Sequence, residues 1–355
     1  MERILPEAPV QSRRPAVSVV MPVYNGERFL TAAIESILVQ TFTDFELVVV
    51  DDGSTDSSAA ILADLAEREP RLVHHRQSNQ GSAAALNAGV DLATAPLIAR
   101  LDADDLAMPD RLARQHRYLG ENGEVGLVGG GAAIADENGR VFAEARYPTT
   151  DAEIREAFAG STPFVHSAVM MRKEAFEKAG GYRPGFEPAE DIDLWLRIGE
   201  HHALANLDAI VATYRVHESQ ASAQKLEQQA IRSLAARVSA RSRAAGRPDP
   251  FASGAPIDEA ALLAQGTGAD EIDDAVIRSA IWLAKTEDRA GYDKAAEDLF
   301  AIAFDRARSS SRPAELAATV RRALAQRQTE RGRRVRARIE SLRASLGEGF
   351  RRRRS

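Results

Sequence analysis

Up to residue 130, the chain alternates between two patterns: short apolar runs, and apolar positions at helical spacing. Val17–Val23 is a run rich in β-branched residues, which is typical of a strand buried on both faces. From Phe29 to Leu38, apolar residues recur on one face of a predicted helix. The alternation continues, with strands predicted at 45–50, 72–75 and 96–101 and helices at 57–69 and 83–92. This order predicts βαβ units and a parallel sheet.

The pattern changes after residue 220, where strand-like runs end. Before that point, strands are predicted at 126–130, 168–171 and 203–207, and helices at 152–158 and 191–198. Beyond it we predict a helix at 224–243, a linker rich in proline and glycine at 246–256, and alanine-rich helices at 258–345. We therefore divide the chain into an N-terminal extension (1–15), an α/β domain (16–220), an α-helical domain (221–332) and a basic tail (333–355).

Composition narrows the class of protein. The 355 residues are 44% hydrophobic and 28% charged, which is the balance of a globular protein. There is no cysteine, and this excludes disulfides, thiolate zinc sites, iron–sulfur clusters and cysteine nucleophiles. No run of ~18 apolar residues occurs, and the N-terminus has no apolar stretch followed by a cleavage site. We therefore expect no membrane span, no secretory signal and a cytoplasmic location.

Charge is distributed unevenly along the chain. Residues 312–355 carry fourteen arginines and four acidic residues, so the remainder is strongly acidic although the net charge is only −6. An acidic body repels phosphate backbones, and no specific nucleic-acid partner is expected.

The basic tail has its own pattern. An apolar stripe at helical spacing lies among its arginines and consists of Val335, Ile339, Leu342, Leu346 and Phe350. A basic amphipathic helix of this kind fits an anionic membrane surface, and the protein would then be peripheral at the inner face of the cell membrane. The alternatives are packing on the helical domain and pairing with a second subunit in a homo-oligomer.

Polar residues follow three of the first four predicted strands. They are Tyr24-Asn25, Asp51-Asp52 and Asp102-Ala103-Asp104. Because ligands bind outside the carboxyl ends of the strands in an open parallel sheet, we expect a site at this edge. Extended residues two apart point the same way, so Asp102 and Asp104 can face one ligand. Mg²⁺ and Mn²⁺ take oxygen ligands, often together with substrate phosphates, and the pair is a candidate site for such a cation.

Several common motifs are missing. There is no GxxxxGK[ST] loop and no GxGxxG after the first strand, which disfavours an ATPase and a Rossmann dehydrogenase. HExxH, GxSxG and kinase signatures are also missing. Gly129-Gly130-Gly131 comes late and is interpreted as a turn between strands.

Four separated segments resemble the inverting glycosyltransferases of family 2, which have the GT-A fold. They are SVVMPVYNGERFLTAAIESILVQTFTDFELVVVDDGSTD, NQGSAAALNAG, IARLDADDLAMPDRL and EDIDLWLRI, in the order and spacing of the family. The resemblance covers residues 16–220 and does not reach the helical region. It implies an α/β GT-A fold, Rossmann-like with a mostly parallel sheet flanked by helices, followed by an α-helical C-terminal region.

The resemblance also implies a role for individual residues. The donor nucleotide would be bound by Pro22, Val23, Tyr24, Asp52, Gly81, Asp102 and Arg215. The ligands of a divalent cation (Mg²⁺ or Mn²⁺) would be Asp104, Asp102 and His217. Asp191, in the Glu190-Asp191 pair, would be the general base. From its position alone, Asp191 also opens a predicted helix, where an acidic side chain stabilises the helix dipole.

Three residues are candidates for the acceptor side of the site: Glu190, His166 and Trp195. His166 follows Pro163-Phe164-Val165 and is equally well explained as a structural histidine. Trp195 lies on the apolar face of the predicted helix, so a place in the core competes with a role as an acceptor platform.

The resemblance implies a metal-dependent inverting glycosyltransferase that moves a sugar from a nucleotide-diphosphate donor, such as a UDP-sugar, to a glycan or lipid-linked acceptor. The resemblance implies cell-surface polysaccharide biosynthesis. The QxxRW run of processive synthases does not follow Glu190-Asp191, which predicts the transfer of a single sugar. One alternative is a catalytically silent module that binds glycans or nucleotide sugars. Another is a nucleotidyltransferase, which would need a glycine-rich loop after the first strand.

Overall fold

A nine-stranded mixed sheet with helices on both faces forms the first two thirds of the protein. The computed structural model describes residues 14–217, 220 and 225–325, so most of the N-terminal extension and the whole basic tail lie outside the described residues. The strands are β1 (Val17–Val23), β2 (Phe45–Asp51), β3 (Leu72–Arg76), β4 (Leu97–Arg100), β5 (Leu106–Ala107), β6 (Val125–Asp136), β7 (Val141–Ala145), β8 (Met170–Arg172) and β9 (Ala203–Val216).

Seven helices lie within this part of the chain and five follow it, among the described residues. The first seven are α1 (Leu30–Leu38), α2 (Ser58–Arg68), α3 (Ser82–Leu92), α4 (Arg111–Glu121), α5 (Asp151–Ala157), α6 (Lys173–Ala179) and α7 (Glu190–Gly199). The last five are α8 (Leu226–Ala244), α9 (Glu259–Ala264), α10 (Ala269–Ala290), α11 (Asp293–Ser309) and α12 (Pro313–Ala325). Short 3-10 helices form at His166–Ala168 and Pro184–Phe186.

The strand order is β3-β2-β1-β4-β8-β6-β9-β5, with β7 paired to β6. The first four strands are parallel, which confirms the predicted βαβ units. β8 runs antiparallel to both β4 and β6, and β5 runs antiparallel to β9. Strands β6 and β9 are parallel to each other, so only β5, β7 and β8 run against the main direction.

This topology brings the carboxyl ends of distant strands to one edge of the sheet. Val23 at the end of β1 pairs in register with Asp51 at the end of β2. Leu106 and Ala107 pair with Thr213 and Ala212, which places the acidic segment after β4 beside the end of β9. The predicted edge for ligand binding therefore includes the end of β9 as well.

The three largest hydrophobic cores support this arrangement. Helices α1, α2 and α4 cover one face of the sheet, and the apolar positions predicted for α1 are buried there. Helices α3 and α5–α9 pack on the other face, so α8 shares a core with the sheet. Helices α10–α12 enclose a third core around Ile277, Phe300 and Val320, to which Leu226 of α8 contributes.

The triple glycine lies inside β6, so the predicted turn is wrong. A Cβ atom on Gly130 would lie 2.7 Å from Val211, and one on Gly131 would lie 2.8 Å from the carbonyl oxygen of Ala145. These positions are glycine because neighbouring strands approach the backbone of β6 closely, not because the chain turns. None of the helices in the described part of the chain has the length and hydrophobicity needed to cross a membrane.

Candidate active site

Asp52 follows β2 and organises the turn that precedes α3. Its backbone N–H donates to the carbonyl of Val23, at 2.8 Å. Its carboxylate accepts hydrogen bonds from the side chain of Gln77 (2.8 Å) and from the backbone N–H groups of Gln80 (2.9 Å) and Gly81 (2.8 Å). Gly81 has φ +92°, a left-handed conformation that glycine adopts without strain.

The other residues expected near the nucleotide base lie where β1 ends. Val23 is buried, Pro22 is half-buried, and the Tyr24 side chain is exposed at the edge of the sheet. The chain turns at Asn25, where φ is 53°. Ser54 fixes this turn, because its hydroxyl accepts the N–H of Asn25 at 2.9 Å.

Three carboxylates lie together after β4. Oxygen atoms of Asp102, Asp104 and Asp105 all lie within 4.8 Å of one another. Asp102 forms an ion pair with Arg100, and its Oδ2 accepts the hydroxyl of Ser167 at 2.9 Å. Burial opposes ionisation of Asp102, but the Arg100 guanidinium outweighs it, so the pKa of Asp102 lies below its usual range.

The end of β9 completes the acidic cluster. Asp105 is buried and accepts the backbone N–H of Arg215 at 2.8 Å. Burial and the charges of Asp104 and Asp102 raise the pKa of Asp105 well above its usual range. Nε2 of His217 lies 3.0 Å from Oδ2 of Asp104.

Arg215 and His217 both lie against the ring of Phe29. The guanidinium carbon of Arg215 is 5.0 Å from the ring centroid, and the His217 ring is 4.8 Å away. Arg215 is 7% exposed, and its Nε and Nη2 atoms are buried without a hydrogen-bond partner among the described residues. The Arg215 guanidinium therefore has two donor atoms available beside the three carboxylates. This arrangement is suited to an anionic ligand that contacts Arg215 and a cation held by the carboxylates.

The cluster fits a hard divalent cation by its chemistry. Three carboxylates offer oxygen ligands. Burial raises the pKa of Asp105, and the charges of Asp104 and Asp102 raise it further; a bound cation would relieve this repulsion. His217 adds a nitrogen next to Asp104, which Mn²⁺ accepts more readily than Mg²⁺.

Glu190 and Asp191 form the first turn of α7. Glu190 is 6% exposed, and its Oε2 is buried without a hydrogen-bond partner in the described part of the chain. Burial, reinforced by the charge of Asp191, raises the pKa of Glu190 to about 8. Burial likewise raises the pKa of Asp191 to about 6, although its Oδ1 accepts the backbone N–H of Ile192 at 2.7 Å and Arg100 acts in the opposite direction.

His166 and Trp195 are neighbours, but they have different surroundings. Nε2 of His166 lies 2.8 Å from the hydroxyl of Tyr182, and burial followed by the charge of Arg100 lowers the pKa of His166 well below its usual range. Trp195 is fully buried and packs edge-on against His166 and Phe164. The expectation of an acceptor platform at Trp195 is therefore corrected, because no part of its ring reaches the surface.

The structure thus brings Asp102, Asp104 and His217 together and places Arg215 beside them, through Asp105 and Phe29. The charge of Asp102 also acts on Asp191. Sequence reasoning missed Arg100, Ser167, Asp105 and Tyr182. A signal existed for Arg100, since a charge inside a buried strand needs a partner and Asp102 follows two residues later. The roles of Ser167 and Tyr182 depend on contacts across the fold, for which the sequence carries no local signal.

Comparison with known proteins agrees with this geometry. The sequence model of the family "Glycosyl transferase family 2" matches residues 18–180. The putative glycosyltransferase EpsE of Bacillus subtilis is 37% identical over 209 residues, which are 58% of this chain and 73% of EpsE. The O-antigen biosynthesis glycosyltransferase WbnJ of Escherichia coli is 33% identical over 205 residues, which are 57% of this chain and 80% of WbnJ. The amylovoran biosynthesis glycosyltransferase AmsE of Erwinia amylovora is 33% identical over 202 residues, covering 56% and 75%.

A solved structure supports the fold. The mannosyltransferase PcManGT from Pyrobaculum calidifontis, in complex with GDP-Man and Mn²⁺, superposes with a TM-score of 0.51 at 21% identity. The match covers 92% of this chain and 84% of PcManGT, so it includes helices beyond the sheet. The expected GT-A fold with a helical C-terminal region is confirmed, and the chain belongs to glycosyltransferase family 2.

Proposed function

We propose that this protein is a metal-dependent inverting glycosyltransferase that uses a UDP-sugar and adds one sugar to a glycan or lipid-linked acceptor. The observation that carries the proposal is the position of the acidic cluster. It lies at the same sheet edge as Asp52, and the charge of its member Asp102 acts on Asp191. Relatives named for O-antigen and amylovoran biosynthesis support a role in making a polysaccharide.

The hydrogen bonds of Asp52 favour uracil as the base. Two donors already bind Oδ1 of this carboxylate, and one binds Oδ2. A carboxylate offers about four lone-pair sites, so a single position remains, on Oδ2. Uracil presents one N–H at its edge, whereas guanine presents two N–H donors there.

The diphosphate would lie between the acidic cluster and Arg215. A cation held by Asp104, Asp102 and His217 would stabilise negative charge on the leaving diphosphate. The two unpaired donors of Arg215 would hydrogen-bond a phosphate oxygen, with the guanidinium supported by Phe29. Ser167 and Arg100 would hold Asp102 in place throughout.

Asp191 would remove the proton from the acceptor hydroxyl. The acceptor oxygen forms a bond to the anomeric carbon as the bond to the diphosphate oxygen breaks, and the diphosphate leaves with the electron pair. The proton passes to Asp191, whose pKa of about 6 leaves it ionised at neutral pH and a stronger base than an ordinary aspartate. A single displacement of this kind inverts the anomeric centre.

The experiment is a panel of nucleotide sugars, each incubated with Mn²⁺ and assayed for release of the nucleoside diphosphate. We expect one UDP-sugar to be hydrolysed in the wild type, and Asp191→Asn to slow the reaction by ~10²–10⁴-fold while it still binds UDP. Asp104→Ala should abolish both turnover and the tightening of UDP binding by Mn²⁺. Hydrolysis of a GDP-sugar alone would contradict the donor assignment, and UDP binding without any turnover would identify a binding module.

A further inference from the structure

We propose that Glu187 is a positioning residue, which acts through helix α3 to connect the nucleotide end of the site with the loop that carries the general base. The inference extends the proposed function, since it concerns how the donor and the base of that reaction are held together. It is based on hydrogen bonds at the N-terminal turn and at the middle of α3 and on the packing of the 182–190 loop, none of which belongs to the acidic cluster.

Asp52 holds the turn at the N-terminus of α3. Gln80 and Gly81 donate their backbone N–H groups to Asp52, the residue expected at the nucleotide base. Any change in the position of this turn therefore moves the carboxylate or breaks two hydrogen bonds of 2.8–2.9 Å.

Glu187 holds the same turn from the opposite side. Its Oε2 accepts the backbone N–H of Ala83 at 3.3 Å. A Cβ atom on Gly81 would lie 2.5 Å from that oxygen, so the carboxylate lies directly against the glycine. Lys225 approaches the other oxygen of Glu187, at 3.6 Å. The turn is thus enclosed between two carboxylates, Asp52 on the nucleotide side and Glu187 on the side of α7.

A third contact ties α3 to the same loop. The side chain of Asn87 donates to the carbonyl of Tyr182 at 2.8 Å and accepts the N–H of Tyr182 at 2.9 Å. The hydroxyl of Tyr182 lies 2.8 Å from His166. One turn of helix separates Asn87 from Ala83, so the N-terminal turn and the middle of α3 both contact the loop.

The 182–190 loop leads directly to the proposed general base, Asp191. Phe186 is buried and packs against Phe251, so the 182–190 segment is fixed from the outside as well. Glu187 precedes Glu190 by three residues, and its negative charge contributes to the raised pKa of Glu190. A nucleotide that fixes Asp52 and the α3 turn would therefore also fix the approach of Asp191.

The test compares Glu187→Leu, Glu187→Gln and the control Glu177→Gln, which changes an exposed glutamate of α6. With UDP-sugar and Mn²⁺, we expect Glu187→Leu to lower kcat about tenfold or more, because small misplacements of reacting groups are costly. The affinity for UDP should change less than twofold, because Asp52 still holds the turn through the N–H groups of Gln80 and Gly81. Glu187→Gln keeps an oxygen that can accept the N–H of Ala83 and should retain most of the activity, and Glu177→Gln should match the wild type.

A double-mutant cycle separates positioning from general stability. If Glu187 acts through the base, Glu187→Leu should have no further effect on kcat in an Asp191→Asn background. Multiplicative effects of the two substitutions would overturn the proposal. So would a Glu187→Leu variant with wild-type kcat, or one in which kcat and UDP affinity fall together.

Hydrogen exchange gives a readout independent of turnover. UDP with Mn²⁺ should slow amide exchange of residues 182–192 as well as 80–83 in the wild type, and only at 80–83 in Glu187→Leu. Protection confined to 80–83 in the wild type would overturn the inference. Lack of turnover with every donor, together with protection at 182–192, would instead overturn the proposed reaction and leave the connection intact.

Discussion

Adjacent carboxyl groups in α7 differ in their proton affinity. Burial raises the pKa of both groups. The charge of Asp191 raises that of Glu190 further, to about 8, whereas the N–H of Ile192 and the charge of Arg100 hold that of Asp191 to about 6. The pair therefore carries one proton near neutral pH, with Asp191 ionised and Glu190 neutral. A neutral acid beside the base can donate a hydrogen bond to a substrate hydroxyl, which an ionised glutamate could not do.

The pKa of Asp191 sets the expected pH dependence of turnover. A general base works only in its ionised form, so kcat/KM should fall about tenfold per pH unit below an apparent pKa near 6. Initial rates of UDP-sugar hydrolysis between pH 4.5 and 8, at saturating Mn²⁺ and constant ionic strength, measure this. A rate that is unchanged between pH 7 and pH 5 would contradict the assignment of the base.

Glu190 should make stability depend on pH in the opposite sense to an ordinary acid. Its pKa is raised from about 4.5 to about 8, so the folded state keeps a proton that the unfolded state loses. Stability is therefore lost as pH rises from about 4.5 to about 8. Glu190→Gln removes this loss, and its Tm relative to the wild type should be higher at pH 8 than at pH 5. An equal difference in Tm at both pH values would contradict the burial argument.

Some of these residues could be predicted from sequence and others could not. Asp52, Asp102 and Asp104 follow apolar runs, and a parallel sheet carries the ends of such runs to one edge. Asp105 could not be distinguished from its neighbours, because its role depends on the N–H of Arg215, 110 positions away. Trp195 had the same helical spacing as the core residues around it, and the structure places it with them.

At the level of elements, α7 is held by a buried charge network. Asp193 is fully buried and accepts hydrogen bonds from Nε of Arg183 (2.8 Å) and Nη2 of Arg197 (2.6 Å). Arg197 also reaches the carbonyl of Gly181 at 2.8 Å. This network fixes α7 to the loop before it, and α7 begins with the base.

Removing the acid from this network should destabilise the protein strongly. Asp193→Ala removes the carboxylate shared by Arg183 and Arg197 and leaves Arg183 with Asp249 alone, and the loss should be about 3–5 kcal/mol in the free energy of unfolding. The control is Asp298→Asn in α11, where Asp298 forms an i,i+4 pair with Lys294 at the surface. That change should cost about 0–1 kcal/mol. Urea denaturation of both variants measures the difference, and similar losses would show that the network contributes little.

Helices and strands were predicted correctly where a segment showed a single hydrophobic periodicity. The βαβ half and the apolar face of α1 follow from periodicity alone. The triple glycine in β6 was interpreted wrongly, since a turn and a close approach between strands both require glycine. Only the positions of Val211 and Ala145, on other strands, distinguish the two. The antiparallel direction of β8 could not be predicted either, because it depends on the pairing of β8 with β4 and β6.

The whole molecule places the helical C-terminal region beside the site. Ala290 and Tyr292, at the turn between α10 and α11, pack with Ile134 and Val216 at the ends of β6 and β9. Gln220 donates to the buried carboxylate of Glu287 at 3.1 Å. The division at residue 220 stays a prediction, but the helical region contacts the strand that supplies Arg215 and His217.

The basic tail remains a prediction from sequence. Because its arginines surround an apolar stripe, we expect the full chain to co-sediment with vesicles containing anionic phospholipid at low salt, and less so as salt screens the charges. A chain ending at residue 330 should stay in the supernatant and still bind UDP. If both chains sediment alike, or neither does, the tail is not a membrane anchor, and light scattering should then show whether it mediates a dimer.

The late position of β9 has a consequence for synthesis on the ribosome. β6 is complete at Asp136, but its parallel partner β9 ends only at Val216, so one edge of β6 stays unpaired while about 80 further residues are made. At roughly 5–20 residues per second, this exposure lasts for several seconds. An unpaired strand edge is a template for association with other nascent chains. Translation that stalls or stops between these strands should therefore give aggregates. Translation that stops after α8 should release a chain in which every strand of the sheet is present.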